Sequence, residues 1–472
     1  MTRTTTALVL GLGPACLGCL VASCGGAPAD DPPVGAADVA GGASAPPGSG
    51  RDAGARIDSP DDAPSEVAAD ARKPGLPSPF SLVVPDGFGV DTHVADPSPA
   101  LMDAMQRGGF RWARQDFPWP VIEAQKGAYD WAGIGFDAVT AAWDKRGLRG
   151  LNVLGGANPL YGPGLPISAS QRKAFTSFVA SAVTRYRGRG YLWEIWNEPE
   201  HDWAPADYAQ LVKDVAETVR TVAPGELLVG PALGFANGSA SDDLVWLEEV
   251  FKAGALDDLA AVTVHPYLDQ PESVFQEYQA LRSLIAKYAP GKSIPVLSGE
   301  WGFQTSTTGG VSDAVQAQMV TRVYLTNLFN EVPISIWYDW NDDGTDPAVA
   351  EDRYGLVGPR PAMTPKPAYY AASNLADLLG GYRLERRVSA GSQDEDLVLR
   401  FVRAGEPGAV FVGWVMTPGM SHTMTIPASE LAGSPSSILV RGNTGEKLPS
   451  LTAGAGGLTV TLDNSPTYFV AK

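Results

Sequence analysis

The sequence predicts a (β/α)8 barrel over residues 78–380, a small β-sandwich over 381–472, and a disordered stretch over 25–77. Three features of the pattern carry this. From residue 80, short apolar runs that stop on polar or Gly residues alternate eight times with longer amphipathic stretches. After Gly380-Gly381 the helical period disappears, and strand-like runs lie between Gly, Pro and Ser turns. Between Gly25 and Pro77 the chain is mostly Ala, Gly, Pro, Ser and Asp. Such a segment buries too little apolar surface to offset its ordering entropy.

Taken in order, the first strand is Phe88–His93, and a helix then runs from the Ser98-Pro99 cap to Gly108-Gly109. Phe110–Arg114 is the second strand, followed by a long loop with Trp119 and a helix over 133–146. Gly150–Leu154 precedes a helix over 170–187, and Tyr191–Asn197 precedes a helix opened by Pro205. Leu227–Gly230, Leu259–Val264, Ile294–Leu297 and Ile334–Tyr338 complete the eight strands. Their helices cover 241–253, 271–288, 312–330 and 367–379. A doubly wound open sheet is the competing architecture, but no Gly-rich phosphate loop supports it. Beyond residue 381, strands are expected at 397–402, 409–414, 437–440 and 458–462, with a last one ending at Val470. This domain is read as a buttress for the barrel.

The 472 residues carry a net charge of −18, which argues against nucleic acid or an anionic membrane surface as partner. Cys16, Cys19 and Cys24 are the only cysteines, so the barrel and sandwich can hold neither a disulfide nor a Cys-bound zinc. His93, His201, His265 and His422 lack metal-ligand spacing, and no metal or cofactor is expected. Arg3 precedes an apolar stretch from Ala7 to Ala22, which reads as an export signal. Val21-Ala22-Ser23-Cys24 resembles a bacterial lipobox, implying lipidation at Cys24 and residues 25–77 as a tether. The protein is then an exported, membrane-anchored monomer at the cell surface or a periplasmic face.

Trp193-Glu194-Ile195-Trp196-Asn197-Glu198-Pro199-Glu200 starts apolar and β-prone, then stops on Asn-Glu, with Pro199 ending the strand. About a hundred residues on, Leu297-Ser298-Gly299-Glu300 closes another apolar run on a carboxylate. Strand ends of a barrel converge on one face. They bring together His93, Arg114, Asn197, Glu198, His265, Tyr267, Glu300, Trp337 and Trp340.

This ordered set resembles clan A, the large clan of barrel glycosidases, with families five (cellulase-like) and thirty-nine (β-xylosidase-like) nearest. The resemblance covers residues 86–380 and extends to Ile336-Trp-Tyr-Asp-Trp-Asn-Asp-Asp-Gly344 and Pro365-Lys-Pro-Ala-Tyr-Tyr370. It implies a retaining glycosidase acting on a β-linked poly- or oligosaccharide, with Glu198 as acid/base and Glu300 as nucleophile. The two carboxyls should lie about 5–5.5 Å apart. Glu198 must then hold a proton near neutral pH, which requires a raised pKa. Arg114 and Tyr267 would hold the charge of Glu300, Asn197 would donate to the sugar 2-hydroxyl, and His265 would orient its neighbours. His93 and Trp301 are further candidate contacts. Asn158 is another, because Gly155-Gly-Ala-Asn158-Pro159 stands where family five often has His-Asn. Trp119, Tyr161, Trp203, Trp301, Trp337 and Trp340 are candidate rings for stacking on sugar. Trp337 is favoured beneath the −1 sugar, with Trp340 second. Glu194, one layer below Glu198, is read as a structural carboxylate, and Glu200 as a solvated loop acid. A non-catalytic carbohydrate-binding lipoprotein and a transglycosylase on the same site are the alternative functions.

Overall fold

The computed structural model describes residues 78–93, 96–235, 240–388, 395–431 and 437–471. The export signal, Cys24 and the stretch 25–77 lie outside them. Eight parallel strands close in chain order: β1 (Phe88–Thr92), β2 (Trp112–Pro118), β3 (Arg149–Gly155), β4 (Leu192–Ile195), β5 (Leu227–Gly234), β6 (Ala261–His265), β7 (Val296–Trp301) and β8 (Ser335–Trp337). One inward side chain from each of seven strands plugs the bottom: Trp112, Leu151, Leu192, Val229, Ala261, Leu297 and Ile336. With that end filled by apolar groups, polar side chains gather at the carboxyl end.

The predicted helices form where the caps placed them. Ser98 accepts a hydrogen bond from the Leu101 amide, and the helix runs from Pro99 to Arg107. Pro205 and Pro367 open the helices Pro205–Val222 and Pro367–Leu379. Strand ends differ more from expectation. β2 starts two residues late and runs on to Pro118, and Trp119 opens a short helix, Trp119–Ile122, instead of lying in a loop. β4 stops at Ile195 because Trp196 and Glu198 take left-handed backbone angles, φ 68° and 46°. No helix among the described residues is long and apolar enough to cross a membrane.

Eight further strands follow: β9 (Arg383–Arg387), β10 (Asp396–Val402), β11 (Ala409–Val415), β12 (His422–Pro427), β13 (Ile438–Arg441), β14 (Lys447–Leu451), β15 (Gly457–Leu462) and β16 (Thr467–Ala471). Six make one antiparallel sheet in the order β14-β13-β16-β11-β10-β9, and β12 pairs with β15 beside it. β9, β12 and β14 were not foreseen, since their alternating polar residues hide the apolar face. The helix Asp313–Phe329 is buried almost all round, from Gln316 to Leu328. A helix without a polar face needs cover on both sides, and its contacts supply it. Tyr324 bonds the Gly89 carbonyl of the barrel, while Asn443 Nδ2 donates to the Ala317 carbonyl from the sheet side. Arg322 forks onto Glu272 and also donates to the Met416 carbonyl, and Trp414 Nε1 donates to Glu272.

Arg322 and Glu272 are both buried, so removing one partner strands the other's charge. Arg322→Met should therefore cost about 3–5 kcal/mol of unfolding free energy. Urea unfolding checks this; a loss within experimental error would show that the junction does not stabilise the chain.

Candidate active site

Arg114, the third residue of β2, points into the barrel and is 3% exposed. Its Nε donates to Glu194 Oε2 at 2.8 Å. Nη1 donates to Asp91 Oδ2 at 2.7 Å and Glu300 Oε2 at 2.9 Å, and Nη2 to Asn197 Oδ1 at 2.6 Å. Glu194 is wholly buried and is the structural carboxylate its place in the strand suggested. The Asn197 amide is oriented by this network: its oxygen is taken by Arg114, and its NH2 remains to donate.

Residues adjacent in an extended strand face opposite sides, yet Asn197 and Glu198 both reach into the mouth. The left-handed turns at Trp196 and Glu198 break the alternation. Pro199 contributes by disfavouring the right-handed helical region for the residue before it. Such backbone costs about 1–3 kcal/mol per residue and persists where surroundings enforce it. Here the Glu198 amide bonds the Ala232 carbonyl, and the Trp196 amide bonds the Leu154 carbonyl. On β7 a register irregularity between Ser298 and Trp301 does the equivalent job. Leu297 faces the barrel floor, and the extra residue lets Glu300 turn inward as well.

The two carboxylates meet. Glu198, His265 and Glu300 each offer an atom within 4.8 Å of the others'. Glu198 Oε1 lies 2.9 Å from His265 Nδ1, and Glu300 Oε2 lies 3.7 Å from the same nitrogen. Tyr267 Oη donates to Glu300 Oε1 at 2.5 Å. Gly299 keeps this corner uncrowded, because a Cβ would lie tightly at 3.2 Å from His265 Nε2 and 3.3 Å from Glu194 Oε1.

Burial raises the Glu300 pKa, opposed by His265 and Arg114. Burial also pushes Glu198 up, but the hydrogen bond and charge of His265 outweigh it, and the net shift is down. The raised pKa expected of Glu198 is therefore absent from the free site, because the imidazole of His265 favours its ionised form. Burial pulls His265 down, but Glu300 and Glu198 together hold it above its ordinary value.

Other expectations need correction. Glu200 is not solvated: its side chain is 4% exposed, Oε1 accepts from the Gly234 amide, and Oε2 has no partner among the described residues. Asn158 spends its amide internally, donating to the Glu123 carbonyl and capping the turn 159–161. Trp337 pairs in register with outward-facing Val90, is fully buried, and stacks on Phe303. Trp340 packs edge-on against Phe110 and Tyr369 of the outer helix, and Trp301 is fully buried behind β7. Among the remaining candidate rings, Trp119 and Trp203 are also packed away, Trp119 against Tyr161 and Phe178, Trp203 against Trp196.

The inward ring after β8 is Tyr338. It continues an edge-to-face arc in which Tyr267 meets Tyr354 at 6.4 Å, Tyr354 meets Tyr338 at 5.1 Å, and Tyr338 meets His93 at 5.2 Å. Sequence reasoning missed Tyr338 and Tyr354, as well as Asp91. Strand parity of Gly89 and Asp91 with His93 could have found Asp91.

Residues 159–344 match the sequence model of cellulase (glycosyl hydrolase family 5). No curated protein matches the chain. Among solved structures, a family 39 glycoside hydrolase from the gut symbiont Bacteroides cellulosilyticus WH2 is 26% identical, with a TM-score of 0.70, over 82% of this chain and 81% of that one. A GH30 endoxylanase from Clostridium papyrosolvens C71 is 15% identical with a TM-score of 0.57, over 82% of this chain and 96% of its own. A glucosidase from Croceicoccus marinus is 14% identical with a TM-score of 0.54, over 81% and 95%. These last two speak to the fold.

Burial, assisted by the charge of Glu198, pushes the Glu200 carboxyl up to about 7 from 4.5. The folded chain then keeps a proton that the unfolded chain has already lost between those pH values. Stability falls as pH rises through that window, by up to about 3 kcal/mol. Glu200→Gln should raise Tm by a few degrees at pH 8 and leave it unchanged at pH 4. Equal shifts at both pH values would contradict the burial of this acid.

Proposed function

We propose that this chain, which resembles glycoside hydrolases of the (β/α)8 clan A, is a retaining glycosidase. It would cleave β-glycosidic bonds in a poly- or oligosaccharide by double displacement. The observation that carries this is the approach of Glu198 and Glu300 to within 4.8 Å, oxygen to oxygen. Retaining pairs lie about 5–5.5 Å apart, whereas inverting pairs leave about 6.5–9.5 Å for a water molecule.

Glu300 is the nucleophile. Arg114 on one oxygen and Tyr267 on the other stabilise the ionised form against the effect of burial. Glu198 is the acid/base, and His265 supplies its proton across the 2.9 Å contact. In the free site that proton favours the imidazole, leaving a charged pair. A sugar entering the mouth excludes water and makes separated charge more costly. The neutral pair, imidazole and carboxylic acid, then becomes the favoured form, ready to protonate the leaving oxygen. After glycosylation, Glu198 as carboxylate accepts a proton from the attacking water. The NH2 of Asn197 donates to the 2-hydroxyl, a bond that tightens in the transition state. Tyr338 floors the −1 sugar in place of a tryptophan. The −18 charge suits a neutral substrate. Export, lipidation at Cys24, and action as a tethered monomer complete the proposal, supported by the lipobox-like Val21–Cys24 and the apolar-poor stretch after it.

Two measurements on an aryl β-glycoside test this. Proton NMR of the first product should show the β-anomer, and Glu198→Ala should regain turnover with azide, giving the β-glycosyl azide. A first product of inverted configuration, or a variant indifferent to azide, would overturn the assignment.

A further inference from the structure

We propose that the amino-terminal end of the barrel, beneath β1–β4, is a docking surface for an anionic lipid bilayer, which turns the mouth away from the membrane. The proposal does not depend on the retaining mechanism, and its test does not require lipidation at Cys24.

The surface is built from the segments that lead into the strands. Arg107 ends the helix Pro99–Arg107, Arg111 precedes β2, and Lys145 follows the helix Phe136–Asp144. Arg187 follows the helix Ala169–Tyr186, and Arg383 opens β9. Contacts between these segments bring them together. The Arg149 amide bonds the Arg111 carbonyl, Gln106 Nε2 donates to the Arg146 carbonyl, and Arg189 pairs with Asp144 at 2.7 Å. Val83, at the entry to β1, bridges to Arg383. Arg107, Lys145, Arg187 and Arg383 are exposed, and Arg111 is half-buried. None of the five pairs with a carboxylate among the described residues.

The acids at this end do not cancel them. Asp103 and Asp144 are paired with Arg146 and Arg189. Asp86, Glu226 and Asp377 remain, the first two bonded to Ser81 and to the Gly188 amide and Trp193. Helix ends account for the cations at 107, 145 and 187, because positive charge suits a last turn. Arg111 and Arg383 flank strands and have no such reason to be there. The mouth has the opposite sign: residues 339–352 alone hold six acids and no Lys or Arg.

The chain-wide charge of −18 argues against an anionic surface only if it is spread evenly. A strand of seven residues such as β2 spans about 20 Å. Exposed charges are screened beyond about 8 Å at physiological ionic strength. The acidic mouth is therefore hidden from a surface that the other end approaches. The chain also enters the fold here, since Phe80 packs against the floor plug of Trp112 and Leu151. A tether arriving through residue 78 delivers this face to a membrane first. Arginines suit headgroup phosphates because each can bond two oxygens at once. Each cation near such a surface raises partitioning roughly fivefold. That is weak for a free protein but ample for one already held nearby.

Sedimentation with vesicles tests this, comparing phosphatidylcholine alone with a mixture of about one-third phosphatidylglycerol at low salt. The full chain is used, and the ratio of the two partition coefficients is the readout, because the apolar residues 7–22 act on both alike. The anionic vesicles should be favoured about tenfold or more. Lys145→Glu with Arg187→Glu should bring the ratio close to one without changing Tm, and Arg383→Glu alone should lower it severalfold. Lys126→Glu reverses an exposed cation on the mouth side and should leave the ratio as in the parent. Equal partitioning of the parent, a ratio untouched by the reversals at the base, or one lowered as much by Lys126→Glu would each overturn the proposal. Retention on polygalacturonate without preference for the anionic vesicles would also overturn it, by assigning the surface to an acidic glycan.

Discussion

One guanidinium ties the catalytic face together. Arg114 sits inside the barrel and bonds Asp91 on β1, Glu194 on β4, Asn197 just beyond it, and Glu300 on β7. Burial works against its charge, but Glu194, Asp91 and Glu300 hold it firmly protonated. Only a planar group with several fixed donors can serve that many partners at once, which lysine could not do. That single fork bonds all three carboxylates gathered around it. Features above it follow: the hold on one oxygen of Glu300, the orientation of Asn197, and the burial of Glu194 beneath them.

Position then depends on breaking strand regularity at two places. Regular alternation would send one of Asn197 and Glu198 away from the sugar, and would conflict with Leu297 and Glu300 sharing a side. Two left-handed residues solve the first problem and an extra residue in β7 solves the second. Both devices cost stability locally and are held by hydrogen bonds to neighbouring strands. The six-stranded sheet contributes as well, since it covers the all-round buried helix 313–329 whose Tyr324 bonds β1.

The barrel was legible in the sequence because eight short apolar runs and eight helical stretches alternate without a break, with Ser98, Pro205 and Pro367 marking helix starts. Glu198 and Glu300 were legible because each ends an apolar run. The aromatic lining was not, because Trp337, Tyr338 and Trp340 are all large rings and parity was uncertain at a strand of three residues. Tyr338, the smallest of them, is the one that faces in. Glu200 was misread because a residue beyond a proline looks like loop, while its burial comes from the turn folding back on Gly234. The approach of His93 to Tyr338 was invisible for a different reason: β1 and β8 are the ends of the barrel in sequence and neighbours only after closure.

The most direct test of the account is to identify the residue that becomes bonded to the sugar. An activated 2-deoxy-2-fluoro β-glycoside slows the second displacement, and peptide mapping by mass spectrometry locates the trapped ester. The account predicts one label per chain on Glu300. A label on Glu198, Glu194 or Glu200 would contradict it.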